Sequence, residues 1–131
     1  MRSLVLVFIA LVMFAPPAAS QSPDNMMHPW DRQFQPQQVV GRWQVTGWNP
    51  GTTRGRFNYQ GVVVVSRTGR TFRVVWRIGK RRFVGIGILR GPIFSVAYNG
   101  GLATYIVRSE GLDGVWSRRN GTRLGREGWT R

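Results

Sequence analysis

A chain of 131 residues with nineteen cationic side chains against five acidic ones carries a formal charge of +14, so anionic partners are expected. The absence of cysteine excludes disulfides, thiol nucleophiles and lipoprotein attachment, and a single histidine leaves no clustered His/Cys/Asp/Glu set for zinc.

Residues 1–20 read as a signal peptide: Arg2 supplies a positive start, "LVLVFIALVMFA" (4–15) an apolar run of twelve, and "AAS" (18–20) a small-residue cleavage site. Twelve apolar residues are short for a bilayer span, so the expectation is export to the periplasm or beyond, as a bacterial envelope protein. Without Arg2 the remaining 111 residues hold eighteen cations, seventeen of them arginine, against Asp24, Asp31, Glu110, Asp113 and Glu127. Residues 21–38, with five glutamines, three prolines and no periodic pattern, are expected to form a flexible arm. Its "MMH" (26–28) offers two thioethers and an imidazole, more often incidental in a tail than a copper site.

From Val39 the pattern changes to short strands parted by turn dipeptides, the form of a single β domain over 39–131. Strands are expected at 39–48, 55–66, 70–78, 82–89, 93–98, 102–108, 112–118 and 123–130. Between them lie "NPGTT", "TG", "GK", "GP", "NGG", "EG" and "NG", rich in the residues tight hairpins need. An eight-stranded antiparallel up-and-down meander follows, and closing it into a small barrel removes both exposed edges. A two-sheet sandwich is the alternative.

The hairpin "FRVVWRIGKRRFVGIGI" (72–88) shows how the interior is filled. Phe72, Val74, Trp76 and Ile78 share one face, and with a two- or four-residue loop Phe83, Gly85, Gly87 and Leu89 join it. Glycines opposite large rings suit a narrow barrel, where large and small side chains alternate. A three-residue loop would instead turn Val84, Ile86 and Ile88 inward. The rings of Trp43, Phe72, Trp76, Phe83, Tyr98, Tyr105 and Trp116 could line a ligand pocket. The chain is short for eight strands, however, so these rings are expected mainly to fill the core.

In a meander every second turn lies at one end. The first, third, fifth and seventh turns thus bring Arg54, Arg56, Lys80, Arg81, Arg82, Arg118, Arg119 and Arg123 to one mouth, a cationic crown that Arg73 and Arg77 extend along the wall. The other end receives mainly Arg67, Arg70, Arg90 and Glu110. Arginine forks bind phosphate, sulfate or carboxylate oxygens two at a time. Directly opposed arginines such as Arg77 and Arg82, paired if the loop has two residues, otherwise repel.

Catalytic groups are scarce. His28 lies in the arm, and Glu110 and Asp113 flank one turn, where "EGLDG" reads as turn chemistry. Glu127 with Asp113 is the only conceivable carboxylate pair for glycoside hydrolysis, and Glu127 reads more simply as an ion-pair partner of Arg126 or a neighbouring-strand arginine. "GIGILRG" (85–91) lies in a strand and its third glycine comes one residue late for a dinucleotide loop. The reading is of a non-enzymatic protein with no cofactor or metal.

The opening "GRW" (41–43) is similar to the Gly-x-Trp start of calycin barrels, the lipocalin and avidin class, and "RLGREGWTR" (123–131) resembles the last strand of avidin-like barrels. A closer resemblance is to small exported alpha-proteobacterial proteins, some labelled fibronectin-binding. It rests on "GWNPG" (47–51), "VVWRIG" (74–79), "GIGILRG" (85–91), "VAYNGG" (96–101), "TYIV" (104–107), "GLDGVW" (111–116) and "GREGWTR" (125–131). These blocks imply architecture more than ligand. Against an avidin-type biotin site, Trp43, Trp76, Trp116 and Glu127 fit in part, but "QVTGW" lacks the asparagine and serine and the last loop is short and arginine-bearing.

The leading expectation is an exported binding barrel whose basic surface engages an anionic envelope or extracellular partner: lipopolysaccharide, acidic polysaccharide, nucleic acid or host matrix such as fibronectin-type ligands. The alternatives are a carrier of a small apolar or aromatic molecule inside the barrel, and an inhibitor of an acidic secreted enzyme.

Overall fold

The computed structural model describes residues 35–52 and 54–131. The expected signal segment, the arm as far as residue 34, and with it the "MMH" group, lie outside them. Eight strands follow in chain order: β1 (Gly41–Trp48), β2 (Tyr59–Thr68), β3 (Thr71–Ile78), β4 (Arg81–Arg90), β5 (Ile93–Tyr98), β6 (Gly101–Arg108), β7 (Gly111–Arg118) and β8 (Gly125–Thr130). Each pairs antiparallel with the next, and β8 pairs with β1, so the sheet closes on itself as a barrel. Closure leaves no free sheet edge and excludes the sandwich.

Two boundaries move for identifiable reasons. The expected strand 55–66 begins only at Tyr59, because the preceding loop has hydrogen bonds of its own. Asn58 Oδ1 accepts from the Asn49 amide at 2.8 Å and lies 2.7 Å from the Thr52 hydroxyl, while Trp48 Nε1 donates to the Gly55 carbonyl at 3.0 Å. The last strand begins at Gly125 rather than 123, and the loop before it is joined to the first loop through Gly51 N–H to Leu124 O at 3.3 Å.

The hairpin between β3 and β4 has a two-residue turn, since Ile78 pairs with Arg81. Gly79 supplies the positive φ that turn needs, at +59°. Gly85 and Gly87 therefore stand opposite Val74 and Phe72, inside the barrel. At Gly87 a methyl group would collide with the Phe94 ring, which fills the space the glycine leaves. Arg77 and Arg82 face each other directly on the outer wall.

The lower end is closed by the chain that enters it. The arm was expected to stay loose through residue 38, but Pro36–Gln38 form a 3-10 turn and Val39 is fully buried. Proline at the first helical position fixes the φ the turn requires, and the Gln35 amide donates to Gln38 Oε1 at 2.8 Å. Trp43 Nε1 donates to the Val39 carbonyl at 2.9 Å, holding this plug in place. From the far end of the chain, the Arg131 guanidinium lies 4.1 Å from the Trp43 ring centroid and Nη2 donates to Val40 O at 3.2 Å. Above the plug, Phe72, Phe94, Trp43 and Trp129 pack edge-on or tilted with centroids 5.6–6.5 Å apart. The outer wall also carries exposed aliphatic side chains, Ile86, Ile88, Leu102, Ile106 and Val115 among them.

Candidate ligand cavity and its buried carboxylate

The upper half of the barrel is not filled. A cavity of about 420 Å³ opens at the crown end, lined by Tyr59, Trp76, Phe83, Tyr98, Tyr105 and Trp116 with Ile78 and Ala103. Arg81, Arg118 and Arg119 stand at its entrance together with Asn49 and Gly100. Strand alternation places these groups: Arg81 shares a face with Phe83, and Arg118 with Trp116, so both point toward the lumen. The expectation that the rings mainly fill the core holds for the lower half alone. Glycines and Ala103 face the rings above, and the rings pack on one another around the wall, Trp76 to Tyr98 at 5.7 Å and Phe83 to Tyr98 at 6.3 Å.

Glu127 lies at the base of this cavity and is only 4% exposed. Its neighbours two residues away on β8, Gly125 and Trp129, are buried as well, so the alternation of the strand turns it inward. Four donors from four strands converge on it. Oε1 accepts from Trp129 Nε1 at 2.6 Å, the Tyr105 hydroxyl at 2.9 Å and Trp76 Nε1 at 3.0 Å; Oε2 accepts from the Tyr59 hydroxyl at 2.6 Å. A carboxylate offers about four lone-pair sites, and Oε2, with one bond among the described residues, retains acceptor capacity. Glu127 is thus not the ion-pair partner of Arg126 that its surroundings in sequence suggest: adjacent residues of a strand point to opposite faces. Arg126 lies outside, its guanidinium 5.5 Å from the Trp48 ring.

The charge at the floor acts on every tyrosine in the chain. Tyr105 is pushed well above the ordinary phenol value, first by burial and then by Glu127. Tyr59 is raised for the same two reasons. Tyr98 is raised by burial and Glu127, against a smaller opposing pull from Arg118. All three therefore stay neutral donors through the physiological range. The Trp116 indole N–H is buried beside the Tyr59 ring, without a well-aligned acceptor among the described residues. The cavity is polar at both ends, negative at the floor and positive at the rim, with aromatic walls between.

The other expected residues sort by height. Of the seven rings, Trp76, Phe83, Tyr98, Tyr105 and Trp116 line the cavity, whereas Trp43 and Phe72 belong to the closed lower core. Of the expected anion-binding set, Arg81, Arg118 and Arg119 reach the mouth. Arg54, Arg56, Lys80 and Arg123 are exposed on the loops at that end, and Arg73, Arg77 and Arg82 are exposed on the outer wall. Asp113 is not a turn residue. It lies within β7 on the outer face, 3.6 Å from Arg108 and 3.7 Å from Arg126, so it cannot face Glu127 as a catalytic pair. Tyr59 and the role of Glu127 escaped the sequence reading. The usable signal was parity: Glu127 stands two residues from Trp129, and Tyr59 two from Gly61 and four from Val63. Among the described residues no group of three or more His, Cys, Asp or Glu could hold a metal, and no helix is long and apolar enough to cross a membrane.

No family model matches the chain, and no curated protein does. Among solved structures, it is similar to a variant of the fluorescent protein UnaG, at 12% identity and a TM-score of 0.47 over 72% of this chain and 96% of that one.

Proposed function

We propose that the protein is a non-enzymatic binding barrel. It takes up a small, flat, largely apolar molecule carrying an anionic group, rings downward and anion at the mouth. The observation behind this reading is the cavity itself: about 420 Å³, walled by aromatic rings, with Arg81, Arg118 and Arg119 at its entrance. Ligand pockets fall at about 300–1,000 Å³, mostly apolar with few polar groups, so this one suits a molecule of two or three fused or linked rings. Stacking and edge contacts with Trp76, Tyr98 and Trp116 would supply affinity. The arginines would bind a carboxylate, sulfonate or phosphate at the rim. A donor on the buried end of the ligand would meet Glu127 Oε2. Export, expected from residues 1–20, would place this binding activity in the envelope or outside the cell.

Titration of the purified protein with anilinonaphthalene sulfonate and with uncharged phenylnaphthylamine, read by tryptophan quenching and calorimetry, tests the reading. Saturable one-to-one binding of both is expected. Arg81→Gln with Arg118→Gln should weaken the sulfonate about ten-fold or more and leave the uncharged probe nearly unchanged. Absence of one-to-one binding, or equal loss for both probes in a folded variant, overturns the proposal.

A further inference from the structure

The crown carries apolar anchors among its arginines. Phe57 and Leu124 are 38% and 55% exposed, on the first and last loops of the mouth end. Those loops are bonded to each other through Gly51 and Leu124. The first is held by the bonds around Asn58 and by Asn58 N–H to Gly47 O at 2.8 Å. Phe57 is therefore displayed on a hydrogen-bonded loop. At the same end of the barrel stand Arg54, Arg56, Lys80, Arg81, Arg118, Arg119 and Arg123. None of the described acids offsets them. Glu127 is buried, Asp113 is on the outer wall beside Arg108 and Arg126, and Glu110 is in a turn at the opposite end.

We infer that the mouth of the barrel docks on an anionic phospholipid bilayer, with the arginines on lipid phosphates and Phe57 and Leu124 entering the headgroup–acyl boundary. Charge alone would suit any polyanion. Two exposed apolar side chains at the cationic end of the barrel suit an interface that is itself anionic above and apolar below. Each cationic residue near such a surface contributes about 1 kcal/mol, so the seven at this end suffice for stable but salt-sensitive attachment. Docked this way, the cavity opens against the membrane, where flat apolar anions partition. The inference concerns the crown alone and does not require the ligand reading to hold.

Co-sedimentation with vesicles of phosphatidylcholine, and of phosphatidylcholine mixed equally with phosphatidylglycerol, tests it. Binding is expected to the mixed vesicles only and to fall steeply with salt. Phe57→Ser with Leu124→Ser should weaken it about ten-fold while leaving heparin binding and probe uptake unchanged. Arg118→Gln, Arg119→Gln and Arg123→Gln together should weaken vesicles and heparin alike. The wall variant Ile86→Ser with Leu102→Ser should bind vesicles as the parent does. Near-ultraviolet circular dichroism confirms that each variant is folded. The inference is overturned if the Phe57/Leu124 variant sediments like the parent, which would leave a simple polyanion site. It is equally overturned if the wall variant loses binding, or if neutral vesicles bind as well as charged ones. Failure of probe uptake with vesicle docking intact would sink the cavity reading alone.

Discussion

The Tyr59 hydroxyl reaches Glu127 Oε2 at 2.6 Å because the residue paired with both of them, Gly47 on the intervening strand, has no side chain. The Tyr59 ring lies across the space that a Cβ at Gly47 would occupy. Strands β2 and β8 are thereby joined across β1 by one side-chain bond at the base of the cavity. Gly47→Ala should push the ring aside and break that bond. A loss of about 1–3 kcal/mol in urea denaturation is expected, together with weaker probe uptake. An unchanged midpoint would show that the ring can move without cost.

Glu127 organises the barrel through its acceptors. Glu127→Leu keeps the volume but strands the indole N–H groups of Trp76 and Trp129 and two phenol hydroxyls in a buried site. A cost of about 3–5 kcal/mol is expected. Glu127→Gln retains a carbonyl oxygen for the donors on Oε1 and should cost about 1–2 kcal/mol. Denaturant unfolding of the two variants checks the ordering; a leucine variant as stable as the glutamine one would contradict it.

Because burial and Glu127 raise all three tyrosines above the ordinary phenol value, stability should depend on alkaline pH. The folded chain keeps phenol protons that the unfolded chain releases. The stabilisation is complete below about pH 10 and declines above it, by about 1.4 kcal/mol per pH unit for each tyrosine still protonated in the fold. Absorbance at the tyrosinate band should rise together with unfolding. A tyrosine titrating near 10 in the intact barrel would contradict this.

At the other end, Arg131→Ala removes the cation above Trp43 and the donor to Val40. Destabilisation of about 1–2 kcal/mol is expected, with probe affinity unchanged, because the plug is remote from the cavity. Thermal unfolding and the same fluorescence titration separate the two effects.

On the outer wall Arg77 and Arg82 are directly opposed across an antiparallel pair. Arg82→Glu replaces repulsion with attraction and should stabilise the hairpin by about 0.5–1 kcal/mol. A neutral or negative change would mean that solvent already separates the two guanidinium groups.

The sequence by itself determined the eight strands and their order, because alternation and turn chemistry act over a few neighbouring residues. It left the turn around Gly79–Lys80 open between two, three and four residues, and the pairing of Ile78 with Arg81 decided it and with it the inward placing of Gly85 and Gly87. Parity could also have pointed Glu127 inward, since Trp129 lies two residues along the same strand. What parity could not supply is its partners. Tyr59, Trp76 and Tyr105 come from three other strands, and their heights along the barrel depend on the stagger of every intervening pair. The boundary between filled core and open cavity was decided there too. Trp43 and Phe72 fell below it, and Trp76, Tyr98 and Trp116 at or above it. Face follows from the period of a strand, whereas height follows from the closure of the whole sheet, and closure exists only in the tertiary structure.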